Sequence, residues 1–221
     1  MIEINRNKVD VSVILTVFNS RRYFTNAINS VLNQTYRNYE LIIIDDGSSD
    51  EIETDLIPLL KVNDNFKYIR HSNRKHPLSL NTGLRLASGK FVTFLDSDDE
   101  YMPFHLHERI NFFSENKNTD LIYSPALLIG DEKDFYVPDA KDKTKRIHID
   151  DCIIGGTLFG KSEVFIALGG FRNIYSHDSD FFQRAKEKFN VMRFDLKSYI
   201  YKRNNPESIT NIMMKEINEH R

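Results

Sequence analysis

The sequence predicts an α/β fold with a mostly parallel central sheet, and two observations carry that prediction. Short apolar runs rich in β-branched residues alternate with segments of helical periodicity along the first 100 residues. Acidic clusters directly follow two of the runs, at residues 45–46 and 96–100. Strands that alternate with helices form right-handed crossovers, and such sheets bind ligands at the carboxyl ends of their strands. The acidic clusters therefore mark the expected ligand-binding edge.

Local patterns predict each element in turn. Asn19-Ser20 is a cap signal before an apolar helical stripe, and turn formers at residues 45–50 end the second strand. The predicted strands cover residues 11–18, 40–44, 66–70, 91–95, 120–124 and about 197–202. The predicted helices follow residue 20, cover residues 51–60, 77–87, 104–115 and 162–168, and begin near residues 178 and 208.

Two segments are less regular. Residues 130–151 are highly charged and lack periodicity, which predicts a surface excursion. The last predicted helix has an apolar face, made of Ile209, Ile212, Met213 and Ile217. We expect this face to pack on the body of the protein, with attachment to a membrane surface as the alternative.

Composition narrows the class of protein. With 221 residues, 40% of them hydrophobic, the chain can bury a core and is expected to form one domain over residues 1–221. A net charge of −2 gives no basic field for nucleic acid. Cys152 is the only cysteine, which excludes an intrachain disulfide and suits a reducing cytosol. Apolar runs are too short to span a bilayer and no leader is recognisable, so we predict a cytoplasmic protein.

The stretch FLDSDDE places four acids within five residues at the end of a predicted strand. Two unit charges about 4 Å apart interact by roughly 4 kcal/mol at an effective dielectric of 20, so the cluster would repel a diphosphate unless a cation offsets it. Mg²⁺ and similar cations bind carboxylates and substrate phosphates together. We therefore predict a divalent metal site, with a solvated turn as the alternative.

Asp46 follows the second predicted strand. Its carboxylate could cap the next helix, or it could accept hydrogen bonds from a nucleobase or a ribose. No G-x-G-x-x-G follows the first strand, which argues against a nicotinamide or flavin enzyme.

An ordered series of motifs resembles the family-2 glycosyltransferases. The series comprises VSVILTVFN, YELIIIDDGSSD, NTG with ASG, FLDSDDE with Pro103, GGF, and the pair Asp178 and Asp180, from about residue 11 to 210. The resemblance implies a GT-A fold, with a Rossmann-like nucleotide-binding half over about residues 1–100 and a smaller acceptor-binding half over about 101–221. It also implies inverting transfer from a nucleotide-diphospho-sugar, most often a UDP-sugar, to an acceptor hydroxyl in surface polysaccharide or glycolipid synthesis.

The family's roles are carried over by position. Implied nucleotide-sugar ligands are Thr16, Phe18, Asn19, Asp46, Asn81, Asp96 and Ser97. Implied ligands of Mn²⁺ or Mg²⁺ are Asp98, the preferred one, with Asp96 and Asp99. Asp178 matches the catalytic base, although a helix N-cap is its alternative role. Gly155, Gly156 and Gly170 are expected to let the backbone approach sugar or acceptor.

The chain departs from the family pattern at three positions. Leu80 replaces an Arg found in many relatives, so a cation for the donor would have to come from Arg74 or Lys75. His177 replaces a Glu before the catalytic Asp, and Asn205 stands where relatives often have a His, which puts a third protein ligand to the metal in doubt.

Two other functions remain as alternatives. A strand that ends in Asp-x-Asp also opens haloacid-dehalogenase-like phosphatases, in which Asp96 would be the nucleophile. The three departures could instead mark a non-catalytic nucleotide-sugar-binding protein. The expected partners are the donor and a glycan or glycolipid acceptor, without nucleic acid. Peripheral association with the inner face of the membrane and the oligomeric state stay open.

Overall fold

The structure, a computed structural model, describes residues 9–208 and 210–213. The helices are α1 (Arg21–Leu32), α2 (Glu53–Val62), α3 (His76–Leu86), α4 (His105–Glu115), α5 (Ser162–Ala167) and α6 (His177–Lys186). The first six strands are β1 (Val11–Val17), β2 (Tyr39–Asp45), β3 (Phe66–Arg70), β4 (Phe91–Asp96), β5 (Glu100–Tyr101) and β6 (Leu121–Tyr123). The later strands are β7 (Leu127–Ile129), β8 (Tyr136–Pro138), β9 (Arg146–His148), β10 (Phe159–Lys161), β11 (Val191–Arg193) and β12 (Tyr199–Lys202).

Seven strands form the central sheet in the order β11-β6-β10-β4-β1-β2-β3. The four neighbours β4, β1, β2 and β3 are mutually parallel, and β11 is parallel to β6. Strand β10 is antiparallel to both of its neighbours. The predicted parallel sheet is therefore confirmed for the first half of the chain, and the second half extends it as a mixed sheet.

Two smaller sheets accompany the central sheet. Strand β12 pairs antiparallel with β5 and parallel with β7, which makes a three-stranded sheet. Strands β8 and β9 form an antiparallel hairpin inside the segment predicted as a surface excursion. Three-residue strands without clear alternation leave little signal in the sequence, which explains why the hairpin was not predicted.

Burial explains why the parallel strands read as continuous apolar runs. Every residue of β1 and β2 is buried, as expected for a sheet covered by helices on both faces. On helix α3, a Cβ added at Gly83 would lie 2.4 Å from Cγ2 of Ile14 on β1. The glycine is required because it lets α3 pack directly on the sheet. Helix α3 therefore lies directly against the middle of β1.

The predicted terminal helix is only partly described. Residues 210–213 are helical, and Ile212 is 46% exposed. Ile209 and Ile217, the other ends of the predicted apolar face, lie outside the described residues. In the part of the chain that is described, no helix is both long enough and apolar enough to cross a membrane.

Candidate active site

Three parallel strands end side by side and carry most of the predicted donor-site residues. In the β1–β4 register Thr16 lies opposite Asp96, and in the β1–β2 register Val17 lies opposite Asp45. Asp46 follows Asp45 directly. The carboxyl ends of β1, β2 and β4 therefore bring Thr16, Asp46 and Asp96 to one edge.

The two acids after β2 have different environments. Asp45 is fully buried and accepts hydrogen bonds from the Ser48 amide (2.8 Å) and the Tyr68 hydroxyl (2.8 Å), so it stabilises the loop. Asp46 accepts a hydrogen bond from the Arg74 amide at Oδ1 (2.7 Å), and Nδ1 of His71 lies 3.3 Å from the same oxygen. Oδ2 of Asp46 accepts no hydrogen bond from the described residues, so Asp46 is the acid that has a free oxygen.

Phe18 and Asn19 follow β1 at the same edge. The Phe18 side chain is 49% exposed. Asn19 has a left-handed φ of 48°, and its Oδ1 accepts hydrogen bonds from the amide (2.8 Å) and the hydroxyl (3.2 Å) of Ser49. Asn19 thus holds the loop after β2 against the end of β1, and it leaves the ring of Phe18 at the surface.

His76 pairs with Asp96. The first residue of α3 is His76, and its Nε2 donates a hydrogen bond to Oδ1 of Asp96 over 2.9 Å. Burial disfavours the charged imidazole, but the carboxylate of Asp96 outweighs it and raises the pKa of His76. The pKa of Asp96 is lowered because the charge and hydrogen bond of His76 outweigh the effect of burial.

Asp98 is held by a distant side chain. Nδ2 of Asn205 donates a hydrogen bond to its Oδ2 over 2.7 Å. Burial and then the negative charge of Asp96 raise the pKa of Asp98. Asp96 and Asp98 therefore repel each other, and each has only one carboxylate oxygen engaged by another side chain. The neighbouring Ser97 is partly exposed.

Asp99 has no exposed surface. Its Oδ2 accepts a hydrogen bond from the Tyr199 hydroxyl (2.6 Å), and its Oδ1 accepts one from the Lys202 amide (2.8 Å). Burial, followed by the charges of Asp98 and Asp96, raises its pKa well above the usual value. The last acid of the cluster, Glu100, pairs with the Lys202 ammonium. Asp99 and Glu100 thus anchor the acidic turn on β12.

Asp178 lies in the first turn of α6, after Ser176 in the N-cap position with a left-handed φ of 56°. Its Oδ1 accepts a hydrogen bond from the Ser179 amide over 2.8 Å. Burial raises the pKa of Asp178 to about 6. Ser176 and not Asp178 therefore occupies the N-cap position, and Asp178 accepts a backbone amide of the first turn instead.

His177 connects the two groups of acids. Its ring lies edge-on to the ring of His76, with centroids 5.1 Å apart, and 5.5 Å from the ring of Phe171. Burial and then the charge of His76 lower the pKa of His177 to about 3, so it is neutral at physiological pH. A path of direct contacts therefore runs from Asp96 through His76 to His177, the residue before Asp178.

Asn81 and the predicted glycines make contacts within the protein. The Asn81 side chain makes two hydrogen bonds with the backbone of Phe171. Nδ2 of Asn81 donates to the Phe171 carbonyl oxygen over 2.7 Å, and the Phe171 amide donates to Oδ1 of Asn81 over 2.8 Å. A Cβ at Gly170 would lie 2.2 Å from Oδ1 of Asn81, and a Cβ at Gly156 would lie 2.2 Å from the ring of Tyr199. Gly156 and Gly170 therefore accommodate protein side chains, whereas a Cβ at Gly155 would lie an ordinary 3.5 Å from Cβ of Asp178. The predicted approach of these glycines to sugar or acceptor stays a prediction.

No three His, Cys, Asp or Glu side chains within residues 9–208 and 210–213 are grouped closely enough to hold a metal by themselves. The pair Asp96 and Asp98 still fits a hard cation, since such ions commonly take one or two carboxylates and complete their shell with water and substrate phosphates.

Comparison with known proteins identifies the family of the chain. The sequence model of the family described as "Glycosyl transferase family 2" matches residues 12–165, which is more than half of the chain. The chain belongs to glycosyl transferase family 2. The predicted family is thereby confirmed, and the haloacid-dehalogenase alternative is not retained.

Two curated relatives illustrate the similarity. An uncharacterised glycosyltransferase of Rickettsia prowazekii is 30% identical over 222 residues, which cover 95% of this chain and 69% of the relative. The poly(ribitol-phosphate) β-N-acetylglucosaminyltransferase TarP of Staphylococcus aureus is 42% identical over 115 residues, which cover 51% of this chain and 35% of TarP.

Solved structures confirm the predicted GT-A fold. S. aureus TarS 1–349 in complex with UDP-GlcNAc superposes with a TM-score of 0.73 at 19% identity, over 92% of this chain and 60% of that one. The mannosyltransferase PcManGT of Pyrobaculum calidifontis, in complex with GDP-Man and Mn²⁺, gives a TM-score of 0.72 at 16% identity, over 95% and 61%. The chain thus spans about three fifths of the length of these structures.

Sequence reasoning missed two residues of this family-2 site. His76 begins the helix that follows the parallel strand β3. Such a helix begins at the carboxyl ends of the strands, where ligands bind, so its first residue is a candidate site residue. Tyr199 contacts Asp99 from a strand 100 positions later, and no sequence pattern pairs those two residues.

Proposed function

We propose that this chain is an inverting glycosyltransferase that moves a sugar from a UDP-sugar to a hydroxyl of a glycan or glycolipid acceptor. One observation carries the proposal. Acids suited to the donor, Asp46 and Asp96, share a strand edge, and His76 and His177 connect that edge to Asp178, whose pKa is about 6. Two sets of carboxylates with different environments are what acid–base catalysis beside a bound diphosphate requires.

Asp178 is the proposed general base. Inversion requires the acceptor hydroxyl to attack the sugar from the face opposite the leaving diphosphate, and one carboxylate must take its proton. With a pKa of about 6, Asp178 is ionised at neutral pH and more basic than an ordinary aspartate. It is therefore suited to accept the proton at physiological pH.

Asp98 and Asp96 are the proposed ligands of Mn²⁺ or Mg²⁺. A bound divalent ion would stabilise the negative charge that develops on the departing diphosphate. The Mn²⁺ in the PcManGT complex supports the choice of metal. We do not retain Asp99 as a ligand, because it is fully buried and both of its oxygens accept hydrogen bonds from β12.

The nucleotide is proposed to bind between Asp46 and Asp96. The free Oδ2 of Asp46 can accept a hydrogen bond from a uracil N–H, and the exposed ring of Phe18 offers a face for stacking. Thr16, Asn19 and Ser97 complete this pocket. The UDP-GlcNAc complex of TarS supports a UDP-sugar donor.

The cation for the donor is proposed to come from the loop before α3. The amide of Arg74 is fixed on Asp46, and His76 is fixed on Asp96, so the short segment between them spans the two donor acids. The side chains of Arg74 and Lys75 are exposed and have no partner among the described residues. Their position suits them to offset the charge of the diphosphate in place of the Arg that Leu80 replaces.

The acceptor is proposed to bind along the hairpin β8–β9. Tyr136, 40% exposed, packs against His148 with ring centroids 5.1 Å apart. The hairpin is joined to the region of Asp178, because the Tyr175 hydroxyl donates to Pro138 O over 2.8 Å. Rigid aromatic side chains provide contact area at low entropic cost. The printed name of TarP supports an acceptor of the polysaccharide class.

We place the reaction at the cytoplasmic side of the cell, in surface polysaccharide or glycolipid synthesis. The half-exposed Ile212 on residues 210–213 is compatible with peripheral membrane attachment. We retain the division into a nucleotide half over about residues 1–100 and an acceptor half over about 101–221, because the donor acids precede residue 101 and Asp178 follows it.

A thermal-shift and turnover experiment tests the proposal. UDP, GDP and their sugar derivatives are added to the chain with and without Mn²⁺, since a ligand of the native state raises its apparent stability. We expect UDP with Mn²⁺ to give the largest shift, and slow UDP-sugar hydrolysis that Asp178→Asn abolishes. Metal-dependent donor binding with no hydrolysis or transfer, and with the same affinity in Asp178→Asn, would favour the non-catalytic alternative.

A further inference from the structure

Helix α3 contacts both sides of the candidate site. At its first residue, His76 donates a hydrogen bond to Asp96 and packs edge-on against His177. One and a half turns later, Asn81 holds the backbone of Phe171 through two hydrogen bonds. One helix therefore contacts the end of β4 and the segment that leads into α6 and Asp178.

Both polar atoms of the Asn81 side chain are engaged by these contacts. Its Nδ2 donates to Phe171 O and its Oδ1 accepts from Phe171 N, across 90 positions of the chain. The approach is so close that a Cβ at Gly170 would lie 2.2 Å from Oδ1, and Gly170 has a φ of 71°. A side chain so closely held by backbone is poorly placed to bind a nucleotide, which was its predicted role.

The opposite side of the same segment is also fixed. The Arg184 guanidinium donates hydrogen bonds to Leu168 O over 2.7 Å and to Gly170 O over 2.8 Å. Nε of Arg184 also donates to Oδ2 of Asp180 over 2.9 Å, which orients the guanidinium. The turn at residues 168–171 is therefore held between Asn81 on α3 and Arg184 on α6.

Phe171 transmits this constraint to the catalytic segment. Its ring packs against Phe94 on β4 (5.2 Å between centroids), against Phe181 on α6 (4.9 Å) and against His177 (5.5 Å). His177 directly precedes Asp178, and in turn contacts His76. The position of the Asp178 backbone thus depends on where Asn81 holds Phe171.

We propose that Asn81 is a positioning residue for Asp178, and that α3, through Asn81 and His76, sets the separation between Asp96 and Asp178. This inference rests on the proposed function, in which those acids act on opposite sides of the transferred sugar. A misplacement of about 1 Å in a reacting pair can cost on the order of 100-fold in rate. The constraint therefore acts on turnover, and leaves the nucleotide pocket intact.

The test compares Asn81→Ala with Thr82→Ala, a neighbour on the same helix whose hydroxyl bonds only within α3. For Asn81→Ala we expect kcat for UDP-sugar hydrolysis to fall about 10- to 100-fold, with the Kd of UDP and Mn²⁺ within about twofold of the parent. Thr82→Ala should leave both unchanged. A weaker UDP Kd with an unchanged kcat in Asn81→Ala would restore Asn81 to the nucleotide pocket and overturn the proposal.

A second readout does not depend on turnover. Carboxyl NMR titration should place the pKa of Asp178 below about 6 in Asn81→Ala, because looser packing relieves the burial that raises it. The titratable groups that interact with Asp178 are His76 on α3, and Cys152 and Tyr175 on the loops before α6. An unchanged pKa would contradict the positioning role even if the chain proves not to be a transferase.

Gly170→Ala disturbs the contact between Asn81 and Phe171 from the other side, and it serves as the test if Asn81→Ala does not fold. The added methyl collides with Oδ1 of Asn81 and strains a positive φ, without touching the strand edge. We expect the same loss of kcat and the same lowering of the Asp178 pKa, with UDP binding retained. A parent-like kcat or a parent-like Asp178 pKa in a folded Gly170→Ala would overturn the proposal.

Discussion

Asn205 donates a hydrogen bond from Nδ2 to Oδ2 of Asp98 over 2.7 Å, although 107 positions separate the two residues. Asn205 is 7% exposed, and its backbone oxygen accepts a hydrogen bond from Nδ2 of Asn211 over 2.6 Å. The proposed metal ligand is thus oriented by the segment that follows β12. Groups that orient a metal ligand typically affect affinity 10- to 100-fold.

We therefore expect Asn205→Ala to weaken Mn²⁺ binding in the presence of UDP by about tenfold. Asn205→His should bind Mn²⁺ more tightly than Asn205→Ala, because an imidazole can itself coordinate the ion. Calorimetric titration of Mn²⁺ into the UDP-bound protein measures both. Asn204→Ala, at the exposed neighbouring position, is the matched control. Equal Mn²⁺ affinities across all four proteins would remove Asn205 from the metal site.

Asp98 and Asp99 should respond to substitution in opposite ways. Asp98→Ala should abolish the Mn²⁺-dependent shift in melting temperature and change the stability of the metal-free protein little, because relief of the repulsion by Asp96 offsets the loss of the acceptor of Asn205. Asp99→Ala should cost about 2–3 kcal/mol, because it leaves the Tyr199 hydroxyl and the Lys202 amide buried without an acceptor. Melting curves with and without Mn²⁺ distinguish the two. A stable Asp99→Ala that no longer binds Mn²⁺ would return Asp99 to the metal site.

The rate of transfer should fall as the pH drops below about 6. The raised pKa of Asp178 means that its carboxylate becomes protonated there, and a protonated group cannot take the proton of the acceptor hydroxyl. We expect kcat to decrease about tenfold per pH unit below that value. A stopped assay of UDP release across pH 4.5–8 checks this, with UDP affinity measured at each pH as the control. A flat profile down to pH 4.5 would exclude Asp178 as the base.

Asp178→Asn should stabilise the protein while abolishing turnover. The rise in pKa to about 6 makes the ionised carboxylate unfavourable by up to about 3 kcal/mol above pH 6. Asparagine removes that charge and can still accept the Ser179 amide. The gain should be fully present at pH 8 and should shrink as the pH falls from about 6 towards 4, because the folded parent is then protonated and the unfolded carboxyl begins to be protonated too. Denaturant unfolding at pH 8 and pH 4.5 measures the difference, and a gain that is equal at both pH values would contradict it.

Tyr136→Ala should weaken the acceptor and leave the donor unaffected. Loss of the exposed ring removes contact area on the β8–β9 hairpin, away from the strand edge that holds Asp46 and Asp96. We expect the KM for a glycan acceptor to rise about fivefold or more, with the KM for the UDP-sugar unchanged. Tyr136→Phe, which keeps the ring, is the control. A parent-like acceptor KM in Tyr136→Ala would place the acceptor elsewhere.

The sequence predicts the parallel part of the fold because each element there carries its own local signal. The continuous apolar runs of β1 and β2 and the turn formers after them are properties of neighbouring residues, and the structure confirms them. The edge that brings Thr16, Asp46 and Asp96 together follows from the direction of those strands alone.

Contacts between distant residues explain what the sequence does not reveal. Nothing near Asp99 indicates that Tyr199 and Lys202 take both of its oxygens, and nothing near Asn81 indicates that its amide holds Phe171. Strand β10, three residues long and antiparallel between β4 and β6, likewise depends on packing that no local pattern encodes. The sequence therefore does not distinguish an aspartate that can bind a ligand from one that only stabilises the fold. The distinction depends on partners that the fold brings close.

The dependence of the acidic turn on β12 has a consequence for synthesis of the chain. A ribosome adds about 5–20 residues per second, so the partners of Asp98 and Asp99 emerge on the order of 5–20 s after the acids themselves. During that interval strand β1 can already pair with β2 and β4. The acids of FLDSDDE still lack Asn205 and Tyr199, which bond to Asp98 and Asp99 in the folded protein. The proposed metal site is therefore among the last parts of the nascent protein to reach its working form.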